Sequence, residues 1–160
     1  RRGKDFALCR SCAETSAGAG KKRACRMSFP LRPHHGLCLM YFTGKGYSEA
    51  FTANLSLIAQ KLYDAPKHKI RLVCRCDHIC SVCPSCENGH CIDGEKVESY
   101  DRRVLRLCGL QEEEELSFME FQRKISRYIL TPGLRESVCE GCSWNGLCAA
   151  VPPKTVQEYR

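Results

Sequence analysis

Nowhere in its 160 residues does the chain hold the roughly 18 uninterrupted apolar residues that a membrane-crossing helix needs. No basic stretch followed by an apolar segment marks a secretory leader. No internal repeat recurs. Only one segment, HKIRLVC at 68–74, alternates in the manner of a strand. These absences lead to the expectation of a cytoplasmic protein with no membrane partner and little sheet. What the chain has in excess is cysteine, 14 residues in all, near the level where composition is itself a signal. A chain of this length buries a core without cross-links, since dependence on them belongs to chains below about 80 residues. Dense cysteine without a secretory leader therefore points to metal rather than to disulfides.

Charge is unevenly spread. Residues 1–32 carry nine Lys or Arg against only Asp5 and Glu14, so this segment holds the whole formal charge of +7. The remainder is neutral. Such an arm can touch nucleic acid or an acidic partner, although no interleaving of aromatic and basic residues beyond it supports nucleic-acid binding.

Residues 1–27 read as a basic extension in which TSAGAGKKR (15–23) has the composition of a linker. An ordered domain is expected over 28–150, with a tail at 151–160. Pro33 suits the first turn of a short helix reaching Phe42. Ser48 caps a second helix in which Phe51, Leu55, Ile58 and Leu62 recur at helical period, with Pro66 stopping it. EKVESYDRRVLRLC reads as a third, burying Val97, Val104, Leu105 and Cys108, and Gly109 ends it. EEEE (112–115) reads as a solvated turn. Ser117 and Glu120 form a capping box for a fourth helix with Phe118, Phe121, Ile125 and Ile129 on one face. The expected fold is mainly α, or α+β with minimal sheet: a small helical domain whose cysteine-rich loops are organised around one or two metal or iron–sulfur centres.

Residues 74–91, CRCDHICSVCPSCENGHC, place six cysteines in eighteen positions. Within them Cys80-x2-Cys83-Pro is followed by Cys86 and Cys91, and further on stands Cys139-x2-Cys142-x5-Cys148. Two cysteines at this spacing converge on one metal because the residues between them turn and aim backbone N–H groups at the sulfurs. Structural zinc usually takes paired knuckles, whereas a triplet with a remote fourth ligand is more usual for a [4Fe–4S] cluster. Cys76-x3-Cys80-x2-Cys83 also matches the spacing of radical S-adenosylmethionine enzymes, but the repeated strands of their barrel are missing. Cys74, Cys76, Cys86 and Cys108 are expected to be non-ligands. His34 and Cys38 share a helix face at i, i+4, so His34 and His35 are candidate metal ligands or acid/base groups. Cys9-x2-Cys12 with Cys25 is a partial set that can form a small zinc knuckle with one of those histidines.

LRPHHGLCLMYFTGKGYSEAF (31–51), DHICSVCP with GHC and EKVESYDRRVL (77–105), and VCEGCSWNGLC (138–148) together resemble the domain-of-unknown-function family 1284. The resemblance spans about residues 29–150 and implies an iron–sulfur protein of bacterial or archaeal type with no established activity. It implies functional roles for His34, His35 and Cys38, for Cys80, Cys83 and Cys91, and for Cys139, Cys142 and Cys148. These seven thiols suffice for one [4Fe–4S] cluster and fall one short of two. Neither triplet is complete alone, and the missing partner of Cys80, Cys83 and Cys91 is expected to be Cys38 or a member of the 139–148 set.

Three functions are compatible with these features. The first is a [4Fe–4S] protein in electron transfer or redox sensing, working with a redox partner protein. The second is a cluster-dependent enzyme of sulfur-transfer or desulfidation type. It would have an open iron, His34 and His35 as acid/base, and Lys45 and Tyr47 facing a small-molecule substrate. The third is a zinc-stabilised module that binds nucleic acid or protein.

Overall fold

The computed structural model describes residues 28–155. Helices make up about 51% and strands about 11%, the mainly α balance expected. No helix among the described residues is long and apolar enough to cross a membrane.

The chain enters through β1 (Phe29–Leu31) and turns at once into α1 (Pro33–Tyr41), followed by α2 (Glu49–Asp64) and β2 (Lys69–Leu72). Residues 73–93 hold the cysteine-rich segment, with a single 3-10 turn at Cys80–Val82 and a two-strand hairpin, β3 (Cys86–Glu87) and β4 (His90–Cys91). Then come α3 (Gly94–Cys108), β5 (Glu115–Ser117) and α4 (Phe118–Ile125), which runs on through a wider π turn to Leu130. Two short helices, α5 (Arg135–Val138) and α6 (Asn145–Ala149), close the described chain.

The local signals act where the sequence places them. Ser48 accepts a hydrogen bond from the Phe51 amide at the start of α2, and Ser117 and Glu120 form the reciprocal capping box of α4. Gly109 ends α3 in the left-handed conformation at φ 61°. Phe118, Phe121, Ile125 and Ile129 are all fully buried. The sheet is larger than the sequence suggests. β2 is the middle of three strands, parallel to β1 and antiparallel to β5. Glu115, expected in a solvated turn, pairs with Arg71 in β5. Each flanking strand is three residues long, too short to display a period of two.

Two contacts set α1, on which the site is built. Its face at Gly36 lies against α4 so closely that a Cβ there would fall 2.2 Å from Phe121 Cε1, and Gln122 Nε2 donates to the Gly36 carbonyl at 2.9 Å. At the other end, the Lys154 backbone amide donates to Met40 O and its Nζ to Phe42 O, both at 2.6 Å. A cation thereby satisfies carbonyls at the C-terminus of α1, where the helix dipole favours positive charge.

Gly36→Ala tests the α1–α4 approach. Alanine adds about 1 kcal/mol of helix propensity, but overpacking a fully buried ring costs about 1–3 kcal/mol. The expected net is a lower urea midpoint with an unchanged slope; an unchanged or raised midpoint contradicts the close approach.

Candidate metal centre and its buried charge network

Arg32, the last residue before α1, is 2% exposed, and its guanidinium sends Nε and Nη2 to Asp101 Oδ2 at 2.8 and 2.7 Å. Asp101 belongs to α3 and is fully buried. Its other oxygen accepts from the His34 amide at 3.1 Å and His34 Nδ1 at 2.6 Å. Asp77 repeats the pattern. Its Oδ2 accepts from the Arg32 amide at 2.8 Å and faces His35 Nδ1 at 2.7 Å, while Oδ1 takes the amides of Ile79 and Cys80. Pro33 has no amide to satisfy, so Asp77 and Asp101 together serve the start of α1 in place of a local cap.

Burial alone would favour the neutral form of Asp101, but the charges and hydrogen bonds of His34 and Arg32 outweigh it and hold its pKa below the usual value. The same contest at Asp77, against His35 and three backbone amides, ends well below the usual carboxylate range. Two ionised carboxylates can only accept. Each imidazole therefore carries a proton on Nδ1. His34 is biased toward the neutral form, with Nε2 as acceptor, by burial and by its neighbour His35, whose ring centroid lies 4.3 Å away.

Both histidines line a cavity of about 140 Å³, where one water needs about 10–15 Å³ on the same measure. Cys38, on α1, and Cys139, Cys142 and Cys148, on the α5–α6 segment, also line it. Cys38 is reached by solvent through the cavity, yet burial and the three other thiols push its pKa well up. Cys139 rises to about 11, chiefly through burial and secondly through Cys142, although the buried guanidinium of Arg135 opposes the rise. Arg135 is fixed by Asn145 Oδ1 at 2.6 Å and lies over Tyr41. The Tyr100 hydroxyl is buried beside Cys139 and Cys142 and makes no hydrogen bond. Aromatic and aliphatic side chains, among them Phe51, Leu55 and Trp144, complete the wall.

The remaining thiols gather elsewhere. Asn88 and Gly89, at φ 50° and 80°, form the two-residue turn that sets Cys86 opposite Cys91 across the hairpin. Cys76 Sγ lies 3.4 Å from Cys86 Sγ, and Cys83 lies within electrostatic reach of Cys86 and Cys91. Cys80 neighbours Cys76 but is buried against Asp77 and Arg32, and burial and Asp77 raise its pKa strongly. His35, Asp77 and Cys80 hold donor atoms within 4.8 Å of one another, a candidate ligand group; Asp77 there already accepts its four hydrogen bonds from the protein.

Cys38 lines the same cavity as Cys139, Cys142 and Cys148, and Cys80, Cys83 and Cys91 do not line it. The neighbours of the latter three are Cys76 and Cys86, read from the sequence as non-ligands. Cys108 is buried on α3, as expected of a small apolar residue. Lys45 and Tyr47 lie on the cavity wall, and Cys9, Cys12 and Cys25 fall outside the described residues. Arg32, Asp77 and Asp101 were not anticipated. One signal was available: Asp101 occupies the apolar stripe of α3 between Val97 and Val104, where a charge must find a buried partner.

Asp101→Asn leaves the Arg32 cation buried without its counter-charge, which costs about 3–5 kcal/mol. The native carboxyl, with its pKa lowered by folding, adds stability that is complete above its unfolded value of about 3.9 and is lost as pH falls through the folded value. The variant should thus be less stable at neutral pH and lose less on acidification. Parallel urea curves at neutral and acid pH that coincide for the two proteins contradict this role.

Neither a curated protein nor a solved structure matches the chain. One family model matches residues 46–148, "Protein of unknown function (DUF1284)". The matched span holds all the cysteines of the hairpin and of the α5–α6 segment, whereas His34, His35 and Cys38 precede it. A match over more than half of its length makes this chain a member of the DUF1284 family of proteins of unknown function.

Proposed function

We propose that the protein is an iron–sulfur protein in electron transfer or redox sensing, with a [4Fe–4S] cluster held by Cys38, Cys139, Cys142 and Cys148. The observation that carries this is the meeting of four thiols from distant parts of the chain on one mostly apolar cavity. Thiols suit iron–sulfur clusters and zinc alike, so size decides between them. Four sulfurs on one zinc ion, at about 2.3 Å each, stand about 3.8 Å apart and enclose nothing. These four, with other side chains, line a cavity of about 140 Å³, roomy enough for a polynuclear group. The residues present fit it in charge as well. Arg135 offsets thiolate charge at Cys139 and Cys148, and the unpartnered Tyr100 hydroxyl is a ready donor to sulfur.

A bound cluster supplies one-electron chemistry whose potential responds to burial and to hydrogen bonds at its sulfurs. The chain contributes the rest. The apolar wall limits water, Arg135 and Tyr100 tune the charge, and the imidazoles of His34 and His35 stand at the cavity wall, His34 Nε2 as a proton acceptor. Those imidazoles also favour the second reading, a sulfur-transfer or desulfidation enzyme with Lys45 and Tyr47 toward the substrate. The fourth thiol, Cys38, weighs against it, because full cysteine ligation leaves no iron open.

Anaerobic purification should give a coloured protein with about four iron and four acid-labile sulfide per chain. Serine at any of Cys38, Cys139, Cys142 or Cys148 should lower both, while Cys108→Ala leaves both unchanged. Colourless protein with no sulfide, or iron content indifferent to Cys38, overturns the assignment.

A further inference from the structure

The cysteine-rich excursion poses a separate problem of stability. From Ser81 to Asp93 no side chain is buried, although this stretch carries the β3–β4 hairpin with two residues per strand. A two-strand hairpin in water is marginal at best, and a segment with no fully buried side chain needs a staple. The stretch does hold Cys83, Cys86 and Cys91 within reach of one another. The Asn88–Gly89 turn puts Cys86 and Cys91 on one face. Successive turns, closed by the Cys83 amide on Cys80 O and the Cys86 amide on Cys83 O, bring Cys83 back toward them. The Ser85 amide lies close enough to the Cys83 sulfur to favour its thiolate, the kind of N–H neighbour that a cysteine knuckle places beside a metal-bound sulfur.

We infer that Cys76, Cys83, Cys86 and Cys91 form a second metal centre, a closed tetrahedral site for a single thiophilic divalent ion of the zinc type, which staples the hairpin to the end of β2. The Cys76–Cys86 separation of 3.4 Å is close to the edge of about 3.8 Å that four thiolates at about 2.3 Å from one ion must adopt. That contact separates this site from the cavity lined by Cys38, Cys139, Cys142 and Cys148. His35, Asp77 and Cys80 make up the group of described residues whose donors already lie mutually within 4.8 Å. Cys83 and Cys91 accordingly draw in on the Cys76–Cys86 pair as the ion binds, and the order of the hairpin is coupled to metal. Binding displaces the thiol protons to solvent and leaves four Zn–S bonds, with no change of oxidation state. Cys80 is left out because it is buried beside Asp77, whose Oδ1 takes its amide; it is a neighbour of the site and not a ligand. The site is independent of the cluster proposal, since it shares no thiol with it.

The test uses the full chain, purified anaerobically and loaded with zinc ion alone. One zinc per chain is expected by native mass spectrometry, and it should persist in Cys38→Ser and in Cys80→Ser. Cys76→Ser and Cys86→Ser should each weaken zinc in chelator competition by more than the roughly 10–100-fold typical of changes around a metal site that spare its ligands. Because a variant can simply misfold, the unaltered protein supplies a second readout: chelation should raise amide exchange across residues 81–93 while the β1–β2–β5 sheet stays protected. Three results overturn the proposal. They are iron with sulfide that depends on Cys76 or Cys86, a Cys76–Cys86 disulfide in metal-free protein, and zinc that depends on Cys80 but not on Cys86.

Discussion

The cation of Arg32 is buried, and nearly everything at the site depends on how that charge is satisfied. Asp101 answers it directly, and Asp77 takes the backbone amide of the same residue. Each carboxylate faces four donors, so neither has a lone pair left over and neither charge is stranded. An ion pair this deep offers little net stability against an apolar replacement, because both ions give up hydration to form it. Its consequence is positional. It joins the β1–α1 corner, the start of the cysteine segment and the middle of α3.

The histidines inherit their orientation from the same pair. Two acceptor-only carboxylates fix both Nδ1 protons, and both rings line the cavity that the thiols share. α1 then delivers His34, His35 and Cys38 as one rigid unit. That unit is seated by Gly36 against Phe121 and held at its far end by Lys154. A methyl group at position 36 therefore reaches the site without touching it, and a lost charge at position 101 reaches it through His34.

The two thiol sets differ in the way that their settings require. One lines an apolar cavity between elements that carry the core. The other gathers at a hairpin with no fully buried side chain, where the Cys76 and Cys86 sulfurs are in contact. The first setting suits a group whose chemistry is tuned by its surroundings. The second suits a metal that substitutes for a missing hydrophobic interior.

Helices α2, α3 and α4 were legible because each carries a full apolar stripe and a terminal signal of its own: Ser48, Gly109, or Ser117 with Glu120. So was the presence of two cysteine groups, since close spacing along the chain limits where thiols can go. β1 and β5 were not, because three residues carry no period, and the Asn88–Gly89 hairpin was overlooked although its turn residues mark it. The partition of the cysteines was decided only by the tertiary structure. Whether Cys38 joins Cys80 or Cys139 depends on how α1 sits against α3 and on which wall of the cavity the α5–α6 segment closes. Those placements are set by contacts between residues far apart in the chain, Arg32 with Asp101 and Gly36 with Phe121. By itself the sequence determined that thiols would cluster; the packing of α1 decided which thiols meet, because a short helix with a weak stripe takes its direction from its partners.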